Sequence, residues 1–244
     1  MIFDGSAVLI TGASRGIGKA TAREFLAGGA RVAINGRTEA SVAHAIKELG
    51  SREGLVGAPG DVATAAGCAA VVGAAIEALG GLDVLVNSAG VFTKTPMAET
   101  NEDLWDSLID INVKGTYFCS RAALSALDKS GGSIVNVASE AGLNGYAGST
   151  AYCASKGAVV NLTRSMALEL APKVRVNCIC PGVIDTDMAR IGFTDLSEEA
   201  ESYPLNRIGT AKEVAKGILY LASPDAGFIT GSALAMDGGA TAGS

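Results

Sequence analysis

Three side chains in the second half of the chain have the chemistry to move a proton. Tyr152 and Lys156 lie four residues apart in YCASK, a spacing that puts both on one face of a helix. A carbonyl reductase must give a proton to oxygen as hydride reaches the carbon, and a phenol can do this. A free tyrosine has a pKa of about 10, so bringing it about three units towards neutrality takes roughly 4 kcal/mol. One ammonium about 4 Å away, at an effective dielectric near 20, supplies about that much. Lys156 beside Tyr152 therefore reads as a tuned acid/base pair. Ser139, closing SIVNVAS, is placed to donate a hydrogen bond to the substrate oxygen. Each also has a plainer reading: a core tyrosine, a solvated lysine, a strand-end serine.

A second constellation lies near the N-terminus. The apolar run AVLIT is followed by TGASRGIGKA, with Gly12, Gly16 and Gly18. Between a strand and a helix, such glycines let the backbone approach a pyrophosphate, and the helix N-terminus offers N–H donors and partial positive charge. The plainer alternative is a tight turn that needs positive φ.

The frame that must hold these groups is legible as alternation. Strands are expected at 7–11, 31–35, 54–58, 83–87, 133–139, 174–180 and 232–237. Most are continuous apolar runs, as in a parallel sheet covered on both faces. Helical patterns lie between them: KATAREFLAGG, EASVAHAIKELG, GCAAVVGAAIEALGG, ASKGAVVNLTRSMALELA and one long helix over 101–128. The order predicts an α/β fold: a single doubly wound Rossmann-type domain, residues 1–244, with a parallel sheet of about seven strands flanked by helices.

Composition narrows the function. The net charge of −6 argues against nucleic acid or anionic membrane as the main partner. No apolar run approaches the roughly 18 residues of a spanning helix. MIFDGSAVLI has no positive flank or cleavage-like site, so a cytoplasmic protein without a signal peptide is expected. The single histidine, His44, leaves no Ser-His pair or multi-His metal site, and no metal is expected. Five cysteines without a CxxC pair read as reduced thiols.

TGASRGIG, NSAG at 87–90, Ser139, YCASK at 152–156, PG at 181–182 and the closing ITGSALAMDGG resemble, in order and spacing, the short-chain dehydrogenase/reductase family. NSAG departs from the common NNAG by a hydroxyl at Ser88. The resemblance implies that Asn112, in DINVKG, kinks the long helix and holds a water linked to Lys156. It implies a dinucleotide site of Gly12, Ser14, Arg15, Gly16, Ile17, Gly18, Arg37, Asp61, Val62, Asn87, Ala89, Gly90, Tyr152, Lys156, Pro181, Gly182, Ile184 and Thr186. Asp61 would bond the adenine amino group, or merely cap the next helix. Ile184 and Thr186 would meet the nicotinamide carboxamide.

NAD-selective enzymes carry an acid at the end of the second strand. By resemblance that position is Gly36, in VAINGRT, and Arg37 follows, with Arg15 in the glycine turn. Two guanidiniums can hold a 2′-phosphate by forked hydrogen bonds, with Asn35 and Thr38 as neutral donors. The cofactor is therefore expected to be NADP(H); Arg37 as a solvated loop charge is the alternative. The resemblance points to an oxidoreductase for a ketone/secondary alcohol pair, similar to 3-oxoacyl thioester reductases. The alternatives are a reductase for a small or cyclic ketone and a non-catalytic dinucleotide sensor. A homotetramer is implied, and a substrate lid is expected at about 186–207, with Phe193, Leu196 and Tyr203 as apolar contacts or as packing. Near the mouth, only Lys129 and Lys173 are expected to be available to an acidic acyl carrier protein. A small ketone or a coenzyme A thioester is therefore the expected substrate.

Overall fold

The apolar runs are buried from both sides. In β1 (Ala7–Thr11) all five residues are buried, and in β4 (Val84–Asn87) all four. With β2 (Arg31–Ile34), β3 (Leu55–Gly57), β5 (Ser133–Val137) and β6 (Arg175–Pro181) they build most of the main sheet. Two short strands, β7 (Ile184–Asp185) and β8 (Gly209–Thr210), pair with each other, and β9 (Ala233–Met236) completes the main sheet. Its order is β3-β2-β1-β4-β5-β6-β9, seven strands in all, every pair parallel. The order reverses between β1 and β4, so a crevice opens there at the strands' C-terminal ends, where such folds bind ligands. The computed structural model describes residues 2–193 and 195–243; Thr194, within the expected lid, lies outside them.

Helices cover both faces. On one, α1 (Gly16–Ala27) and α2 (Glu39–Glu48) share a core with α9 (Ala211–Ala222), through Phe25, Val42 and Ile218. On the other, α3 (Ala65–Leu79), α5 (Gly115–Ser130) and α6 (Thr150–Leu170) pack Val71, Leu127 and Met166 onto Leu85 and Ile134. A buried polar chain crosses this second face. Asn87 Nδ2 donates to Ser120 Oγ and to Asn136 Oδ1, each at 2.9 Å, and Asn136 Nδ2 donates to Thr163 Oγ1 at 2.9 Å.

The helix expected over 101–128 is broken. It runs as α4 (Glu102–Leu108), a π-helical turn at Ile109–Lys114, and α5. The wide turn carries Asn112 to the backbone of Val91, as described below, and π turns often mark such sites. The helix α9 is absent from the periodic reading, although its start was legible: Thr210 and Glu213 form a capping box. Two further short helices, α7 (Asp187–Gly192) and α8 (Leu196–Glu201), occupy the expected lid.

Candidate active site

A cleft of about 1150 Å³ runs along the C-terminal ends of the strands. The glycine turn forms one wall by close approach. Gly12 has φ +64°, and a Cβ there would lie 2.6 Å from the Ala89 Cα; a Cβ on Gly18 would lie 2.6 Å from the Gly12 carbonyl oxygen. The turn is pinned by Asn35, whose Oδ1 accepts from the Gly12 N–H while its Nδ2 donates to the carbonyls of Ala58 and Gly60. At the start of α1, Arg15 provides no side-chain cap. By contrast α2, α3, α7 and α9 are capped by the threonines Thr38, Thr64, Thr186 and Thr210. The first-turn N–H groups of α1 are thus left for an anion, and the turn fits a dinucleotide's pyrophosphate.

At the other end, Tyr152 and Lys156 project from the first two turns of α6, beside Ser139 at the end of β5. Lys156 is 5 % exposed; its Nζ donates to the Val137 carbonyl at 2.9 Å and lies 5.9 Å from the Tyr152 ring centroid. Burial pulls its pKa down to about 8. Burial pushes Tyr152 up to about 12, with a hydrogen bond from Ser139 opposing it. The lowering expected from Lys156 is not seen here: burial is the largest influence on the phenol, and the opposing hydrogen bond comes from Ser139.

Asn112 is 1 % exposed and sits behind this group. Its Oδ1 accepts from the Val91 N–H at 2.9 Å, and its Nδ2 donates to the Val91 carbonyl at 3.0 Å and to Ser155 Oγ at 3.0 Å. The side-chain amide of Asn112 thus clamps the strand-end loop at Val91.

Most expected dinucleotide residues line the cleft: Gly12, Ser14, Arg15, Gly16, Ile17, Gly18, Arg37, Asp61, Val62, Ala89, Gly90, Pro181, Gly182, Ile184 and Thr186, with Ser139, Tyr152 and Lys156. Asn87 does not; its amide points into the polar chain under the sheet. Asn35 is not a free phosphate donor, because its amide holds the glycine turn; Thr38 accepts from the Ser41 N–H as the cap of α2, and its side chain lines the cleft. Asp61 accepts from the Ala63 N–H at 3.0 Å and remains exposed on the cleft.

Four cleft residues escaped the sequence reading or changed role. Phe92 meets the Tyr152 ring edge-on at 4.8 Å and stacks on Phe193 of the expected lid at 5.4 Å. Lys94 lies over Phe193, 5.5 Å from its centroid. Glu140 is 7 % exposed, and burial pushes its carboxyl up to about 7. Tyr203, expected as an apolar contact or as packing, is buried and donates its hydroxyl to Glu140. A charged residue directly after Ser139 was the available signal for Glu140.

The model of a family described as enoyl-(acyl carrier protein) reductase matches residues 12–241. The chain belongs to the short-chain dehydrogenase/reductase family. Among relatives, meso-2,3-butanediol dehydrogenase of Serratia marcescens is 39 % identical, over 99 % of this chain and 97 % of that protein. A 3-oxoacyl-[acyl-carrier-protein] reductase of Chlamydia muridarum is 37 % identical, over 96 % of each. A crystal structure of the 3-ketoacyl-(acyl-carrier-protein) reductase from Brucella melitensis, complexed with NADH, superposes with a TM-score of 0.92. It shares 32 % identity and covers 98 % of this chain and 99 % of that one. As a family member the chain is an oxidoreductase for a ketone/alcohol pair that uses a nicotinamide dinucleotide. No helix among the described residues is long and apolar enough to cross a membrane.

Proposed function

We propose that this protein is an NADP(H)-dependent reductase that interconverts a ketone and a secondary alcohol, with 3-oxoacyl thioesters as one substrate class. The observation that carries the proposal is the meeting of Ser139, Tyr152 and Lys156 in the same cleft as the uncapped N-terminus of α1. When bound, the dinucleotide supplies or takes the hydride. Ser139 donates a hydrogen bond to the substrate oxygen, and Tyr152 gives that oxygen its proton. Lys156 holds a positive charge beside the phenol and binds the nicotinamide ribose. Asn112 fixes the Val91 loop behind them.

NADP(H) is favoured by charge. Arg15 and Arg37 are exposed on the cleft lining and have no ion-pair partner among the described residues. Glu48, an acid on the same lining, is engaged by Lys19 at 2.8 Å. The reading is tested by NADPH oxidation with a panel of ketones and 3-oxoacyl thioesters, run on wild-type protein and on Tyr152→Phe. Turnover in the first and its loss in the second is expected. A panel with no wild-type turnover would return the chain to the sensor reading.

A small ketone or a coenzyme A thioester is favoured over a carrier-bound one. Lys129 and Lys173 do not line the cleft, and Asp128 pairs with Lys173 at 2.8 Å. Comparing kcat/KM for matched coenzyme A and carrier-protein substrates at two salt concentrations tests this; a salt-sensitive preference for the carrier form refutes it. The segment 186–207 is proposed as the substrate lid, with Phe193 as its contact. A cytoplasmic homotetramer is proposed as the working form, and light scattering at micromolar concentration checks the assembly.

A further inference from the structure

We infer that Glu140 is a positioning residue: through the hydroxyl of Tyr203 it fixes the backbone of Val183 relative to the loop that begins at Ser139. The inference deepens the reading above, in which the segment after β6 faces the nicotinamide.

The residues between β6 and β7 belong to neither ladder. β6 ends at Pro181 and β7 begins at Ile184, which leaves Gly182 and Val183 to be held some other way. The Gly182 N–H reaches the Met236 carbonyl at 3.1 Å. The Val183 N–H has no backbone acceptor among the described residues; it donates to the Tyr203 phenol oxygen at 2.8 Å. Val183 is half-buried, and its N–H takes this side-chain partner, so the side chain sets the height of the backbone here.

Tyr203 is itself fixed. Its ring lies against Gly182 so closely that a Cβ there would be 2.9 Å from a ring carbon, and it also packs on Gly238. A phenol has one proton to give, and Tyr203 gives it to Glu140 Oε1 at 2.8 Å. Glu140 opens the short 3-10 turn Glu140–Gly142, which Ser139 caps by accepting from the Ala141 N–H at 3.2 Å. Two consecutive hydrogen bonds thus join the loop of the oxygen-binding serine to the segment that would hold the transferring ring. Hydride transfer is sensitive to that relative placement.

The site keeps Glu140 at a penalty. Its Oε2 is buried with no hydrogen-bond partner among the described residues, a condition few native polar atoms share. Tyr146, Asp237 and Glu199 stand around the carboxyl, and the two acids disfavour its charge. Glu140 supplies the acceptor for the Tyr203 hydroxyl.

The test is binding of two ligands, NADPH and 2′-phospho-ADP-ribose, which is the same molecule without the nicotinamide. Tyr203→Phe and Glu140→Leu should each weaken NADPH about tenfold and leave the fragment at wild-type affinity. Glu140→Gln keeps an acceptor for Tyr203 and should bind NADPH close to wild type. Loss of stability alone would weaken both ligands together. Equal weakening of both, no weakening of either, equal affinity of wild type for the two ligands, or Glu140→Gln as poor as Glu140→Leu overturns the inference. If Glu140→Leu does not fold, Tyr203→Phe, which removes one oxygen only, decides it. Carbonyl-dependent turnover is scored separately: its absence in wild type counts against the proposed reaction, while the binding comparison still decides the role of Glu140.

Discussion

The ammonium of Lys156 donates to the carbonyl of Val137 at 2.9 Å, and its centre stays 5.9 Å from the ring of Tyr152. The lysine is therefore held by the strand end, not by the phenol. Burial lifts Tyr152 to about 12 and drops Lys156 to about 8. An oxidised nicotinamide brings a second positive charge, which favours the phenolate. Binding of NADP⁺ should then move one tyrosine titration downward, read from phenolate absorbance. A titration in Tyr152→Phe that shows the same shift would assign it elsewhere.

Tyr152→Phe should preserve folding and NADPH affinity yet lower kcat by about a hundredfold or more, the range of general acid catalysis. Near-normal turnover in the folded variant would remove Tyr152 from the proton step. Lys156→Met should weaken cofactor binding as well, since it removes the charge that the tyrosine variant retains.

Cofactor choice should respond to arginine. Losing a charge-assisted hydrogen bond costs about 1.5–3 kcal/mol, so Arg37→Leu should reduce NADPH affinity roughly tenfold or more. NADH affinity should hardly change. An acid at position 36 is a less clean probe than it looks, because a Cβ on Gly36 would already lie 3.0 Å from Ser41 Oγ and 3.1 Å from the Ser14 Cβ. Paired dissociation constants for wild type and Arg37→Leu check the assignment, and a wild-type preference for NADH would refute it.

Stability should carry the signature of Glu140. Its folded pKa is raised from 4.5 to about 7, so between those values the folded chain binds more protons than the unfolded one. Stability then falls as pH rises across that window and levels above it. Glu140→Gln has no such proton and should lack this slope. Urea midpoints of the two proteins at pH 4.5, 6 and 8 make the comparison, and parallel curves would show that Glu140 titrates normally.

Gly12→Ala should be among the most damaging small substitutions. The residue has φ +64°, and the new methyl would stand 2.6 Å from the Ala89 backbone. Strain and overpacking together should remove about 2 kcal/mol or more. A melting temperature near wild type would show that the wall of the cleft can yield.

The sheet was legible because its strands are apolar runs bounded by glycine, and the seven expected positions match the seven strands of the main sheet. The proton-moving residues were legible because Tyr152 and Lys156 sit on one helix, where spacing fixes geometry. Positions that depend on distant partners were not. Asn87 and Asn112 carry amides whose direction is set by Ser120, Asn136 and Val91, residues far away in sequence. Asn35 reads as a strand-end donor, but its amide is spent on Gly12, Ala58 and Gly60. Tyr203 reads as an apolar contact or as packing, yet its hydroxyl joins Val183 to Glu140, residues distant from it in sequence.

The chain of amides and hydroxyls from Ser120 through Asn87 and Asn136 to Thr163 works as an address. Apolar side chains tolerate a helix that slides by part of a turn; directional donors and acceptors do not. One end of the chain grips α5 and the other α6, and these two helices flank the strand ends where the reaction is placed. Asn136→Leu would add apolar volume and break the row at its middle. Such a protein would keep its helical signal while its aromatic environment lost definition, because greasy contacts can hold the helices together without telling them where to stop.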